Sequence, residues 1–140
     1  MILTTTDNKT AVSTAFDAFA LGDARPFLRL MTPEVEWTVV GSADWGRTYV
    51  SKKAVIEDLL APLAAQIEGG SVAIAATSIL ADGDRVVVEG QGRSTTVRGE
   101  PYCNRYCFVL TLDGGRITRL TEYMDSSLVE RALTAPSRSA

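Results

Sequence analysis

Histidine is absent from this 140-residue chain, and only two cysteines are present. Without histidine, neither a Ser-His-Asp nor a Cys-His relay can form, and a histidine-ligated metal is excluded. Cys103 and Cys107 stand four residues apart on a predicted strand, too far for an easy disulfide and too few for a zinc site. We therefore expect no metal and no cofactor. Any proton transfer has to use carboxyl, phenol, amine or thiol groups, or water.

The chain also lacks a block of basic residues and a long apolar run. Its net charge is −3, with both signs spread along the sequence, so nucleic acid is not an expected partner. No apolar run approaches the roughly 20 residues that span a bilayer, and residues 1–10 have no charged-then-apolar signal pattern. We expect a cytoplasmic protein without a membrane partner.

The length and the order of apolar patterns predict one α+β domain over residues 1–133, followed by a disordered tail over 134–140. Helical periodicity dominates up to Ile67, interrupted by a predicted strand at Glu34–Val40. Beyond it the period changes to two, and short turns force antiparallel neighbours. Helices followed by a meander predict a curved antiparallel sheet that the helices cover, enclosing a pocket. The four predicted meander strands are Ser71–Ala81, Arg85–Val97, Tyr102–Leu112 and Arg116–Met124.

The short turns of the meander allow its register to be predicted. If Arg98-Gly99 is a two-residue turn, Gln91 lies opposite Tyr106. If Asp113–Gly115 is a three-residue turn, Tyr106 lies opposite Glu122. A one-residue slip in either turn would turn a strand over. A two-residue second turn would bring the residue after Glu122 to this face instead.

The predicted face mixes polar and apolar side chains in neighbouring rows, as a ligand pocket does. The alternative is that the polar side chains of this face are exposed to water. Arg93 and Glu122 would then form a surface ion pair, which contributes little to stability. Trp37 and Trp45 are expected in the core or in an interface. The three rows are Gln91, Tyr106 and Glu122; Arg93, Asn104 and Met124; and Glu89, Phe108 and Leu120.

Five short segments, taken in their order along the chain, resemble a known family. They resemble the SnoaL-like, ketosteroid-isomerase-related branch of the nuclear transport factor two-like superfamily, from about Asn8 to Val129. The resemblance implies a cone-shaped sheet wrapped around helices with a deep pocket, and it implies a homodimer. It therefore favours the pocket over the exposed sheet. The segments are Phe16–Asp23, Trp37–Gly41, Asn104–Tyr106, Gly115–Ile117 and Glu122–Asp125.

Members of that superfamily isomerise steroids, close polyketide rings, dehydrate, hydrolyse epoxides, or bind without catalysis. The resemblance places the general base of the steroid isomerases near Thr38, which cannot act as a carboxylate base. It places the Arg-x-Asp pair of the epoxide hydrolases near Gln91 and Arg93, where the pair is not reproduced. The distant aspartate of those hydrolases falls at Glu122, which keeps a carboxylate.

Together these observations predict Glu122 as the general base, Tyr106 and Asn104 as its polar partners and Asp125 as a second candidate carboxylate. An apolar cone would raise the pKa of such a carboxyl toward useful values. We expect a cofactor-free acid/base enzyme of isomerase, cyclase or dehydratase type on an apolar carbonyl or polyketide-like metabolite. A non-catalytic ligand-binding or interaction domain, and an epoxide-hydrolase-like enzyme with a rearranged water site, stay open. The residues predicted to contact the ligand are Asn104, Gln91, Arg93, Thr38, Glu89, Phe108, Leu120 and Met124.

Overall fold

Most of the helices lie in the first half of the chain in the computed structural model, which describes residues 4–41 and 44–136. A π-helical segment (Val55–Leu60) joins α3 to α4 without a break, and we call this stretch the 52–64 helix. The wide π turn comes just before Pro62, which has no N–H to donate to the preceding turn. The helices are α1 (Thr5–Phe19), α2 (Arg25–Leu30), α3 (Lys52–Ala54), α4 (Ala61–Ala64) and α5 (Ser126–Ala132).

Six strands form one curved, unclosed sheet, and two short strands pair separately. The predicted α+β class is therefore confirmed. The sheet is antiparallel except for the β1–β8 pair, which is parallel. The sheet order is β2-β1-β8-β7-β4-β3. The strands are β1 (Met31–Val39), β2 (Thr48–Val50), β3 (Ile74–Asp82), β4 (Arg85–Gly92), β5 (Ser94–Thr95), β6 (Pro101–Tyr102), β7 (Arg105–Asp113) and β8 (Arg116–Met124).

The connection between β4 and β7 differs from the predicted one. As a result, each side chain of β4 lies on the opposite face of the sheet from the predicted face. Instead of a two-residue turn at Arg98-Gly99, β5 pairs with β6 and the chain reverses through residues 96–100. The longer turn shifts β4 by one residue, so Gly90 rather than Gln91 lies opposite Tyr106. Because side chains alternate between faces, the predicted inward face of β4 is wrong.

The turn between β7 and β8 also differs from the predicted one, but a β-bulge in β8 keeps the side chains beyond it on their predicted face of the sheet. The turn has two residues rather than the three predicted at Asp113–Gly115, and Thr118 is the extra residue of a bulge in β8. The shorter turn and the bulge each shift the pairing of β8 by one residue. The total shift is two residues, so the side chains beyond the bulge keep their predicted face. Glu122 therefore shares a face with Tyr106, as predicted, although its direct partner on β7 is Phe108.

An aromatic cluster joins the first two helices to the inner face of the sheet. Phe16 of α1 lies 5.1 Å from Phe27 of α2 and 5.8 Å from Phe108 of β7, measured between ring centroids. Trp37 of β1 meets Phe108 edge to face at 6.3 Å. All four side chains are buried. Such pairs add to the hydrophobic gain of burial and fix the depth at which the helices rest on the sheet.

The end of the described chain is hydrogen-bonded to Gln66, which follows the 52–64 helix. The Thr134 N–H donates to Gln66 Oε1 at 2.8 Å, and Gln66 Nε2 donates to the Thr134 carbonyl at 3.0 Å. The last part of the predicted tail, residues 137–140, lies outside the described residues. Within the described ranges, no helix combines the length and apolar character that crossing a membrane requires.

Candidate active site

An apolar cavity lies between the inner face of the sheet and the 52–64 helix. Its empty volume is about 580 Å³ with the open mouth included, but only about 50 Å³ is wide enough for water. A ligand with a ring system must therefore push flexible side chains aside. Leucines of the helix form one wall, and aromatic side chains of the sheet form the other, the principal ones being Leu59, Leu60, Leu63, Trp37, Tyr106 and Phe108.

Glu122 is the only carboxyl group among the described residues that line this cavity. It projects inward from β8, opposite Phe108 and beside Val39 of the parallel strand β1. Its Oε1 accepts a hydrogen bond of 3.0 Å from the indole Nε1–H of Trp37. Among the described residues, no lysine or arginine forms an ion pair with it. The carboxyl group therefore loses most of its hydration and gains one hydrogen bond in return.

Burial raises the pKa of Glu122 from 4.5 to about 7, while the hydrogen bond from Trp37 acts in the opposite direction. The side chain is partly accessible only because it borders the cavity. Near neutral pH, the acid and carboxylate forms are then both well populated. A single group with this pKa can accept a proton in one step and return it in the next.

Two tyrosines share the cavity with Glu122. Burial raises the pKa of Tyr106 well above 10, and the neighbouring Tyr102 and Glu122 raise it further. Burial likewise raises the pKa of Tyr102. Both side chains therefore remain neutral phenols at neutral pH and act as hydrogen-bond donors rather than as bases.

The ring of Tyr106 stacks on Phe108 and lies close to the backbone of Gly92. It stacks on Phe108 with a centroid distance of 5.4 Å and an interplanar angle of 10°. On the neighbouring strand, a Cβ added to Gly92 would lie only 3.2 Å from Tyr106 Cε2. The missing side chain at this position of β4 thus makes room for the ring.

Asn104 is completely buried but joins backbone segments rather than facing the cavity. Its Oδ1 accepts from the backbone N–H groups of Arg105 (2.8 Å) and Asp125 (3.0 Å). Its Nδ2 donates to the Asp125 carbonyl at 3.1 Å and contacts the Tyr102 hydroxyl at 3.4 Å. Asn104 thereby ties the start of β7 to the end of β8 and positions Tyr102.

Of the residues predicted for the site, the structure brings four together around the cavity: Glu122, Tyr106, Phe108 and Met124. Leu120 lies on the same face and is fully buried in the core. Asp125 is not in the cavity, because its carboxylate accepts the N–H groups of Ser127 and Leu128 and caps α5.

The other predicted contact residues lie elsewhere, for reasons of register. Glu89 and Gln91 point to the outer face of β4, where Gln91 Nε2 donates to the Cys103 carbonyl at 3.0 Å. Arg93 is exposed beyond the end of β4. Thr38 alternates with the inward residues of β1, and its hydroxyl lies 2.8 Å from that of Thr48.

Sequence reasoning missed the roles of Trp37, Tyr102 and Trp45 in lining the cavity. Trp37 had a usable signal, because it occupies a buried position of an alternating strand. Tyr102 lies on the short strand β6, and Trp45 lies in the connection between β1 and β2. Tyr102 nevertheless had a signal, because it begins the predicted strand Tyr102–Leu112 and alternates in phase with Tyr106. No periodicity predicts the side-chain direction of Trp45.

Comparisons with known proteins agree with this architecture. The family model of the SnoaL-like domain matches residues 12–120. No curated protein matches the chain.

Solved structures with the same fold cover nearly the whole chain. An NTF2-like protein of unknown function from Burkholderia pseudomallei is 24% identical with a TM-score of 0.79, covering 92% of this chain and 98% of that one. A protein assigned as a SnoaL-like polyketide cyclase, from Jannaschia, is 18% identical with a TM-score of 0.72, covering 94% of each chain. TerC, crystallised with polyporic acid, is 25% identical with a TM-score of 0.74, covering 90% of this chain and 97% of that one.

The raised pKa of Glu122 predicts a pH-dependent stability. Because the folded-state pKa exceeds the unfolded one, the folded protein binds the extra proton, and stability falls as the pH rises from 4.5 through about 7. A pKa raised from 4.5 to about 7 corresponds to about 3 kcal/mol. In urea unfolding, Glu122→Gln should match the wild type near about pH 4 and exceed its stability by about 3 kcal/mol above about pH 8.

The matched control is Glu130→Gln, on the exposed side of α5. It should follow the wild-type curve at every pH. A constant difference between Glu122→Gln and the wild type across this range would contradict the raised pKa.

Proposed function

The chain belongs to the SnoaL-like domain family, and on that basis we propose that it is a cofactor-free acid/base enzyme acting on an apolar carbonyl compound of polyketide type. Isomerisation, cyclisation and dehydration are the reaction types we consider. The observation that carries the proposal is Glu122, a carboxyl group in an apolar cavity that has a pKa of about 7 and forms no ion pair with the described residues. Perturbed carboxyl groups in clefts are typical of general acids and bases.

In the proposed reaction, the Glu122 carboxylate removes a proton from the carbon next to the substrate carbonyl. The C–H electron pair moves into the new carbon–carbon double bond, and the carbonyl π electrons move onto oxygen, giving an enolate. The protonated Glu122 then returns the proton. It goes to another carbon in an isomerisation, to the alkoxide formed by attack on a second carbonyl in a cyclisation, or to a departing hydroxyl in a dehydration.

Tyr106 and Tyr102 supply the donors that this chemistry needs. An enolate places negative charge on oxygen, and preorganised O–H donors in a site of low polarity stabilise such charge strongly. Because burial keeps the pKa of both phenols raised, they do not compete with Glu122 as bases. Trp37 keeps the carboxyl group in a fixed position through its hydrogen bond of 3.0 Å, which favours a defined direction of proton transfer.

The lining of the cavity sets the class of substrate. Aromatic and aliphatic walls favour a flat, apolar molecule, and a few polar groups orient it. The presence of polyporic acid with the related fold of TerC is consistent with this class of ligand. An epoxide-hydrolase reaction has less support, because Gln91 and Arg93 lie away from the cavity and place no water-activating group beside Glu122.

Exchange of α-protons tests the proposal with a simple probe, 2-tetralone in deuterated water, followed by proton NMR. The wild type should accelerate the exchange, with a rate that rises through about pH 7 as Glu122 ionises. Glu122→Gln should lower the catalysed rate by about 100-fold or more. Tyr106→Phe should lower it by about 100-fold through loss of an oxyanion donor.

Glu130→Gln, exposed on α5, should leave the exchange rate unchanged. If the wild type binds 2-tetralone but exchanges its protons no faster than buffer does, the acid/base proposal fails and a ligand-binding domain remains.

We also propose a homodimer that forms through the outer face of the sheet. Tyr123, exposed by 49%, and Val50, exposed by 59%, project from that face on β8 and β2. Sedimentation velocity should find a dimer for the wild type and a monomer for Tyr123→Glu. Leu21→Glu is the control and should stay dimeric, because Leu21 is exposed by 88% just after α1, which packs on the inner face of the sheet. A monomeric wild type would contradict this proposal.

A further inference from the structure

Trp45 has a buried indole N–H that donates no hydrogen bond to the described residues. Only 4% of this residue is exposed, and it lines the cavity that contains Glu122. Its indole Nε1 is buried and has no hydrogen-bond partner among the described residues. Buried donors are nearly always paired, since an unpaired one forfeits its hydration without compensation.

The placement of Trp45 does not depend on this indole nitrogen. Its backbone carbonyl accepts a hydrogen bond of 2.9 Å from the buried Tyr49 hydroxyl. The Arg47 guanidinium lies 4.4 Å from the centre of the Tyr49 ring, covering that ring from outside. Trp45 is thus anchored through its backbone carbonyl and Tyr49, which leaves its indole N–H available.

The two tryptophans of the chain differ in this respect. Trp37 and Trp45 both line the cavity, but Trp37 donates to Glu122 at 3.0 Å while Trp45 has no acceptor among the described residues. The other buried side-chain atom in this condition is Asn8 Oδ1, and Asn8 does not line the cavity. Because Trp45 lines the cavity, a ligand oxygen that reaches its unpaired donor would remove the cost of burying that donor.

We infer that the Trp45 indole N–H is a specificity determinant that recognises an acceptor oxygen, such as a carbonyl, on the ligand of this cavity. The inference rests on the proposed function only in requiring a ligand there. The nitrogen is buried beside a cavity that is narrow in this structure. A ring system that widens the cavity exposes the wall at Trp45, and a ligand oxygen in that position gains a hydrogen bond that a hydrocarbon does not.

A matched pair of rigid probes isolates this donor. 9-Fluorenone and fluorene have the same ring skeleton, and only fluorenone carries a carbonyl acceptor. Fluorenone has no α-proton, so it binds without entering the proposed reaction. The wild type should bind fluorenone about tenfold more tightly than fluorene, as one buried hydrogen bond allows. In Trp45→Phe, fluorene should keep its affinity and fluorenone should lose this preference.

The wild type alone provides a second measurement, in case Trp45→Phe does not fold. With two tryptophans, a ¹⁵N–¹H spectrum contains two indole signals, and the signal that follows the titration of Glu122 belongs to Trp37. Saturating fluorenone should shift the proton of the other signal downfield, as hydrogen bonding does, and fluorene should shift it less.

The possible results separate the two proposals. If neither probe binds, the cavity takes no ligand of this class and the proposed function fails with it. If both bind but the fluorenone preference survives in Trp45→Phe, or the second indole signal responds equally to both probes, the role of Trp45 is overturned while the proposed function stands.

Discussion

Glu122 is a carboxyl group enclosed by aromatic and aliphatic side chains, and a hydrogen bond of 3.0 Å from Trp37 is the one it receives from the described protein. Burial disfavours its charge more than this bond favours it, so its pKa rises to about 7. The contact joins two neighbouring parallel strands, β1 and β8. The same geometry that links these strands thus fixes the position of the carboxyl group and leaves it able to exchange a proton near neutral pH.

The surroundings of Glu122 explain why the phenols belong to the site and the amide does not. Tyr102 and Tyr106 lie in the cavity with their pKa values raised by burial, so they stay protonated and, in the reaction we propose, would donate hydrogen bonds to a developing anion. The side-chain amide of Asn104 forms hydrogen bonds with backbone groups at the start of β7 and just after β8. It acts on the site through Tyr102, whose hydroxyl it contacts, rather than through the ligand.

Much of the fold can be predicted from the periodicity of apolar residues. Which face of the sheet a side chain occupies depends on the lengths of the turns, and the sequence specifies those lengths weakly. The change from helical to alternating patterns locates the helices, the meander and the bounds of β8. The longer reversal at residues 96–100 turned β4 over, so Gly90 and Gly92, rather than Gln91, face inward. The bulge at Thr118 compensated for the shorter second turn. Local propensity predicts neither, because both depend on packing across strands.

The central claim is that Glu122 exchanges a proton near neutral pH inside the cavity. The most direct test is a ¹³C NMR titration of the glutamate side-chain carboxyls, with Glu122→Gln used to identify the Glu122 signal. This account predicts that the Glu122 signal titrates with a pKa of about 7. It also predicts that the Trp37 indole N–H signal moves with the same midpoint, because the two groups share a hydrogen bond. A Glu122 signal that titrates near the ordinary value of 4.5 would contradict the account.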